Sequence, residues 1–183
     1  MLIEFTDINE KPRDSYGSDV LSAFNMANAP DGLLVKIARD TKDAPPLQII
    51  QCLSSSLACH SRLVVQLEEG AELRLKQTLV SFGPELSPSL FTSNTRVLLG
   101  PRTTLNHAYA QELGLESRHL EVLSAEVDAG SLYALTAVQT GARLGRMNIH
   151  INLNAPDANC TVSHSASASS KSDYYCLHLF MQM

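Results

Sequence analysis

The stretch SRLVVQLEEGAELRLK, residues 61–76, contains the pattern that decides the fold. In Leu63–Leu67 and again in Leu73–Lys76, alternate side chains are aliphatic, and a period of two is typical of β-strands. Between these segments, Glu68–Ala71 contains a glycine and is expected to form a short turn. The stretch therefore predicts two strands joined by a tight connection.

The same alternation recurs on both sides of this stretch. Upstream it appears in Leu33–Ile37, and downstream it continues along most of the chain. The downstream strand candidates are Thr95–Leu99, Leu105–Gln111, Leu120–Val127, Leu132–Val138 and Met147–Leu153, separated by breaks that carry Gly or Pro. Many short strands with almost no helix exclude a doubly wound α/β fold and leave a β-helix, a sandwich or a barrel.

Two further features refine this outline. Gly70, Gly100 and Gly130 lie thirty residues apart, which hints at stacked units of two or more strands. Residues 18–29 fit a short amphipathic helix that Ser18 or Asp19 could cap. Its predicted apolar positions are Val20, Leu21, Phe24, Met26 and Ala27.

Composition favours a single domain and excludes several partners. The chain has 183 residues, 44% of them hydrophobic, and 14 basic against 19 acidic residues leave a formal charge of −5. This balance argues against nucleic acid or an anionic membrane as the main partner, since both select clustered cations. No apolar run approaches the length of about 20 residues needed to span a bilayer, and no targeting segment is visible.

The four cysteines are not spaced as metal ligands. Cys52, Cys59, Cys160 and Cys176 lack the short paired spacings of zinc or cluster sites. We expect buried or idle thiols in a reducing compartment.

Enzymatic motifs are also missing. The glycines of Gly141–Arg146 are followed neither by a helix signal nor by a Lys-Ser/Thr pair, which argues against ATP hydrolysis. The serine-rich segments Ser54–Ser56 and Ser163–Ser172 do not form a nucleophile elbow and are typical of loop or tail composition. No catalytic residues are predicted.

The most metal-like arrangement consists of Gly100, His107, Tyr109 and Glu112, which partly resembles a cupin strand motif. Because His107 and Tyr109 share a strand face with Leu105, a half-buried structural pair is the plainer interpretation. A metal site would need a further histidine to meet His107 in space, and the candidates are His60, His119 and His150.

A second polar pattern accompanies the strand Met147–Leu153. Its apolar residues point one way and leave a row formed by Arg146, Asn148, His150 and Asn152. Such a row is usually a solvated face, and its functional alternative is a docking or transfer surface.

Taken in order, the segments resemble the core domain of the SufB/SufD family. The resemblance covers residues from about 18 to 160, and Gly145 stands where the family usually has Ser. The matching segments are Asp19–Ala27, Asp31–Ile37, Pro46–Ile50, Ser61–Ala71, Asn94–Gly100, Leu105–His107 and Gly141–Ile151.

This resemblance implies a right-handed parallel β-helix core with a short N-terminal helix. It also implies a non-enzymatic, SufD-like scaffold that pairs with a SufB-like subunit and binds a SufC-like ATPase. The iron–sulfur cluster would be bound only transiently, in the full complex. Plastid stroma and bacterial cytoplasm both fit the family.

We therefore divide the chain into an N-terminal extension (1–17), a core domain (18–162) and an unmatched tail (163–183). The family continues with further rungs and a C-terminal helical region where SufC docks, and this region is missing here. Our hypothesis is a truncated or misread product whose tail is foreign to the fold. His164 and His178 in that tail inherit no role.

The sequence also predicts a solution property and leaves two alternative functions open. An open β-helix end predicts weak solubility or self-association. The main alternative function is a cupin-like metal-binding protein or enzyme that uses His107 and Glu112. A carbohydrate-binding module is the third possibility, although 5% aromatic residues and no Trp argue against it.

Overall fold

The computed structural model describes residues 2–6, 20–29, 32–53, 58–82, 89–168 and 174–183. These residues form one helix and a succession of strands. In chain order the elements are β1 (Leu2–Thr6), α1 (Val20–Asn28), β2 (Gly32–Ile37), β3 (Leu47–Leu53), β4 (Ala58–Leu67), β5 (Glu72–Ser81), β6 (Ser89–Leu99), β7 (Thr104–Glu112), β8 (Ser117–Val127), β9 (Leu132–Thr140), β10 (Leu144–Leu153), β11 (Asn159–Ser167) and β12 (Tyr174–Gln182). The predicted strands are all present, and most are longer than predicted.

The strands form two sheets between which the chain alternates. The larger sheet has the order β1-β2-β4-β6-β8-β10-β12, and the smaller has the order β11-β9-β7-β5-β3. Every pairing from β2 onward is parallel, and β1 alone joins its neighbour antiparallel. This is a right-handed parallel β-helix of about five turns, as predicted.

One coil takes between 26 and 32 residues. Leu63 pairs with Thr95, 32 positions later, whereas Arg118 pairs with Leu144, 26 positions later. Connections of four or five residues lead from β4, β6, β8 and β10 of the larger sheet to the smaller one, whereas nine residues join β2 to β3, and the connections on the opposite side also vary in length. The repeat is therefore regular in structure but not in sequence.

The connections that lead from the larger sheet to the smaller one contain a residue in the left-handed conformation at equivalent positions in successive coils. Gly70 and Gly130 occupy this position with φ of 72° and 64°, and so do three non-glycine residues. These are Asp40, Arg102 and Asp157. The predicted thirty-residue spacing is thus partly correct, but Arg102, not Gly100, is the equivalent residue in the middle coil.

The core lies between the sheets, in the lumen of the helix. Leu63, Val65 and Leu67 of the deciding stretch point into it and are almost completely buried. The alternating partners of these residues point outward, so period two in the sequence becomes inside and outside in the coil. Continuous apolar stacks from coil to coil supply most of the stabilising burial.

Helix α1 forms where predicted but turns the opposite face to the protein. Ser22 and Asn25 are buried, whereas Val20 is 77% exposed and Phe24 is 43% exposed. The Asn25 side-chain amide donates to the backbone carbonyls of Ser61 and Thr92, both at 3.1 Å. The prediction of a buried apolar face was wrong because the helix docks on the polar outer face of the sheet. The predicted caps Ser18 and Asp19 lie outside the described residues.

The expectation that the tail is foreign to the fold was wrong, because residues 163–167 and 174–182 belong to the β-helix. Strand β11 pairs with β9, and β12 pairs with β10, both in parallel register. The serine-rich segment is itself a strand pattern of period two. Its outward residues are Ser163, Ser165 and Ser167, and its inward residues are Val162, His164 and Ala166. A core boundary at residue 162 would cut through β11.

Candidate functional site

The cupin-like arrangement does not form. His107 and Tyr109 point into the lumen and are each 1% exposed, whereas Glu112 lies exposed on the outer face of the same strand. Residues five apart on a strand have opposite orientations, so His107 and Glu112 cannot bind one ion. Gly100 lies in a connection between the sheets. Within the described residues, no three His, Cys, Asp or Glu side chains converge as metal ligands.

His107 is instead a buried, neutral structural residue. Its Nε2 donates to the side-chain carbonyl oxygen of Gln77 at 3.1 Å, and its Nδ1 accepts from the Tyr133 hydroxyl at 3.0 Å. Burial lowers the pKa of His107 to about 4, so the ring is uncharged at neutral pH. Both ring nitrogens are thereby satisfied without a metal.

Hydrogen bonds extend from His107 towards the first coil. The Gln77 amide donates to the Gln51 carbonyl oxygen at 2.9 Å, and the Gln51 amide donates to the Ser61 hydroxyl at 2.8 Å. Ser61, Gln51, Gln77, His107 and Tyr133 thus form one hydrogen-bonded chain, in which each link joins neighbouring strands across or within the sheets. We call it the lumen ladder. It stabilises the alignment of the coils, because a shift of one coil would leave buried polar groups unpaired.

A second buried polar group, which we call the Glu121 cluster, consists of Ser93, Tyr109, His119 and Glu121. These side chains are between 0% and 2% exposed. Sequence reasoning missed the cluster although a signal was present. His119 and Glu121 lie on the same face of β8 as the apolar residues Leu123, Ala125 and Val127. This alternation places an imidazole and a carboxyl group inside the lumen.

The predicted polar row lies on the outer face of β10, as expected from its alternation. The row is only partly solvated, because Asn148 is 3% exposed and accepts a hydrogen bond of 3.1 Å from Arg146 Nε. The ring of His150 stacks on Phe180 of β12 at a centroid distance of 4.9 Å. The row is therefore a partly covered surface, and its role as a docking or transfer surface stays a prediction.

The last coil exposes part of its inner surface. Leu177, Leu179 and Met181 of β12 continue the buried stacks of Met147, Ile149 and Ile151, yet are 37%, 45% and 51% exposed. In the described part of the chain, β12 ends the larger sheet and β11 ends the smaller one. We call these two strands the terminal edge. It combines apolar side chains with strand backbone that could pair further.

The cysteines are free thiols in this structure. Cys52 and Cys176 are exposed, whereas Cys59 and Cys160 are half-buried. Burial raises the pKa of the Cys59 thiol and raises that of Cys160 to about 11. Cys59 and Cys160 are thus protonated and poorly nucleophilic at neutral pH.

The described residues define a parallel β-helix protein with buried polar clusters in the lumen and with exposed strand edges and sheet faces. A family model described as "SUF system FeS cluster assembly, SufBD core domain" matches residues 50–182. The chain belongs to this family. The match extends through most of the tail, residues 163–183, to which the resemblance does not reach. It begins at residue 50, whereas the resemblance begins at about residue 18.

One curated relative adds detail. Over 149 residues the chain is 25% identical to "Protein ABCI7, chloroplastic" of Arabidopsis thaliana, an alignment that covers 76% of this chain and 31% of the relative. The chain thus spans about a third of the length of this relative. No solved structure matches the chain. Among the described residues, no helix is long and apolar enough to cross a membrane.

Proposed function

We propose that this chain is a scaffold subunit in iron–sulfur cluster assembly that pairs with a SufB-like subunit in a SufBCD-type complex. The observation that carries the proposal is the family match over residues 50–182, which coincides with the coils from β3 to β12. A stack of short strands offers long, rigid surfaces to partners and needs no catalytic group of its own.

The terminal edge is the surface we assign to pairing. Strand backbone at an open edge can pair with a strand of another chain, and exposed leucine and methionine side chains gain free energy when covered. Leu177 and Leu179 supply such side chains on β12. The weak acidity of the chain is compatible with a protein partner and gives no advantage to nucleic acid.

Further parts of the proposal rest on the family. The cluster is cargo that the full complex holds transiently, and the ATPase activity belongs to a SufC-like partner. By analogy with the chloroplastic relative, the plastid stroma is one setting, and the bacterial cytoplasm is the other.

Co-purification tests the proposal. The untagged chain would be co-expressed with a tagged SufB-like subunit, with and without a SufC-like ATPase, and captured through the tag. We expect the SufB-like subunit to retain the chain in a defined stoichiometry without SufC. Absence of the chain from the captured fraction, when the purified chain is folded by circular dichroism, would contradict the pairing.

A matched pair of variants locates the contact. Leu179→Lys places a charge on the terminal edge, and Thr136→Lys places the same charge on the exposed outer face of β9. We expect L179K to reduce capture at least about tenfold and T136K to leave it unchanged, since burying an unpaired charge is costly. Equal capture of both variants would place the interface elsewhere.

A further inference from the structure

Four polar atoms of the Glu121 cluster converge on one point in the lumen. Ser93 Oγ and Tyr109 Oη each lie 3.3 Å from His119 Nε2. Glu121 Oε2 lies 3.2 Å from Tyr109 Oη and 3.7 Å from His119 Nε2, and it accepts a hydrogen bond from Ser93. Tyr109 Oη, His119 Nε2 and Glu121 Oε2 thus lie within 3.7 Å of one another, and Ser93 is hydrogen-bonded to the Glu121 carboxylate.

Most of these separations suit ligands of one ion better than hydrogen bonds. A hydroxyl that bonds an imidazole nitrogen normally approaches to about 2.8 Å, so both contacts to His119 are long. In a tetrahedral site with bonds of about 2.0 Å, neighbouring ligand atoms stand about 3.3 Å apart. The three separations among Tyr109 Oη, His119 Nε2 and Glu121 Oε2, at 3.3, 3.2 and 3.7 Å, lie close to that value.

Hydrogen bonding also leaves part of the cluster unsatisfied. Within the described residues, Glu121 Oε1 and His119 Nδ1 lack a hydrogen-bond partner, although both side chains are 0% exposed. A buried carboxylate without full compensation is costly, and a nearby cation is the strongest compensation available to it. The cluster therefore contains a buried carboxyl group whose second oxygen has no partner among the described residues.

The backbone holds the four groups in place. Ser93 and Glu121 face each other on β6 and β8, His119 lies two residues before Glu121 on the same face, and Tyr109 reaches across from β7 of the other sheet. Sites built on paired strands are more rigid than sites built on loops. The donor set is thus preorganised by the register of three strands.

We propose that the Glu121 cluster is a structural site for one divalent transition-metal ion, bound by His119, Glu121 and Tyr109, with Ser93 hydrogen-bonded to the Glu121 carboxylate. His119 binds through the Nε2 lone pair, which leaves the ring proton on Nδ1. Imidazole and carboxylate are ligands that Zn²⁺ and Fe²⁺ accept, and the absence of a thiolate in the cluster disfavours Cu⁺. This resident ion is separate from the cluster cargo, and it departs from the sequence-based expectation of no metal ligands.

Complete burial implies that the ion enters during folding. All four side chains are shielded by neighbouring coils, so exchange requires local opening. Chelators should therefore remove the ion slowly from the native protein and rapidly from the unfolded chain.

The test is metal retention after refolding. The untagged 183-residue chain would be unfolded with a chelator, refolded with Zn²⁺ and desalted, and its zinc measured by mass spectrometry. We expect about one Zn²⁺ per chain and a thermal midpoint above that of metal-free refolded protein. Less than about a tenth of an equivalent would overturn the proposal.

Variants and a spectroscopic probe separate the site from adventitious binding. Glu121→Gln and His119→Gln should each lower retained zinc at least about tenfold, whereas His107→Gln, at a second buried histidine, should retain it. Full retention by E121Q would overturn the proposal. If these variants fail to fold, Co²⁺ bound to the unaltered chain decides. Visible tetrahedral bands without thiolate charge transfer support the site, and thiolate bands assign the ion to cysteine.

Discussion

At the scale of single residues, buried polar side chains determine how the coils align. His107 is hydrogen-bonded to Gln77 and to Tyr133 in the neighbouring coils. An apolar stack at the same place would allow one coil to shift along the next. Hydrogen bonds are directional, so each has one register at which it forms. The lumen ladder therefore contributes specificity of coil alignment in addition to stability.

The buried state of His107 predicts a pH dependence of stability. Burial lowers the folded-state pKa to about 4, against 6.5 in the unfolded chain. Between these values the unfolded chain binds a proton that the folded protein excludes. Stability is therefore full above pH 6.5 and falls as pH drops towards 4, by about 3 kcal/mol from this group.

Urea unfolding at pH 7 and pH 5 measures this loss. His107→Gln removes the titrating group, so the variant should lose clearly less stability over the same interval. The comparison cancels the contributions of carboxylates and other histidines. Identical losses in both proteins would mean that His107 is protonated in the folded state.

Two glycines with positive φ provide a graded test of backbone requirements. At Gly141, with φ of 90°, a Cβ would lie 2.0 Å from the Leu113 carbonyl oxygen. At Gly130, with φ of 64°, the nearest atom would be Arg102 Cγ at 3.7 Å. Gly130→Ala should cost about 1 kcal/mol of left-handed strain, and Gly141→Ala more than about 2 kcal/mol. Equal costs in chemical denaturation would contradict the tight packing at Gly141.

At the scale of elements, period-two alternation was sufficient to find the strands. Leu63–Leu67 and Met147–Leu153 both point aliphatic residues inward, as predicted. The tail was missed because Ser163, Ser165 and Ser167 were interpreted as composition and not as the outward half of a strand. Helix α1 was oriented wrongly because a polar docking face is visible only once the outer face of the sheet is known.

The candidate site was less predictable than the strands. The alternation of side chains along a strand is enough to put His107 and Glu112 on opposite faces of β7. The same alternation puts His119 and Glu121 on one face of β8. The approach of Tyr109 from the other sheet depends on coil lengths, which vary between 26 and 32 residues, and no sequence period defines them. Contacts across the lumen therefore required the structure.

Strand β12 accounts for the glycine at position 145, where the resemblance led us to expect Ser. A Cβ there would lie 2.5 Å from the ring of Tyr175, so glycine provides room for this tyrosine. Gly145→Ser should cost about 1–3 kcal/mol through displacement of the ring. In a Tyr175→Ala background the same substitution should be nearly neutral.

A double-mutant cycle measured by urea unfolding checks this coupling. We expect an interaction energy of at least about 1 kcal/mol between positions 145 and 175. Additive costs would mean that Tyr175 does not pack on Gly145, and that β12 is not held in this register.

At the scale of the whole molecule, the protein is a one-dimensional stack whose coils contact only their neighbours. Such stacks are stable in their interior and incomplete at their ends. The terminal edge shows this directly, since residues of equivalent position are buried in β10 and exposed in β12. Exposed apolar side chains and unpaired strand backbone at the terminal edge would favour both the expected self-association of the isolated chain and its proposed pairing with a SufB-like subunit.

Amide hydrogen exchange of the chain, alone and mixed with a purified SufB-like subunit, tests the scaffold account most directly. We expect slower exchange in β11 and β12 when the partner is present, because new strand pairing protects edge amides. Exchange on the outer faces of the inner coils should change little. Unchanged exchange at the terminal edge, or protection confined to the row formed by Arg146, Asn148, His150 and Asn152, would contradict the scaffold account.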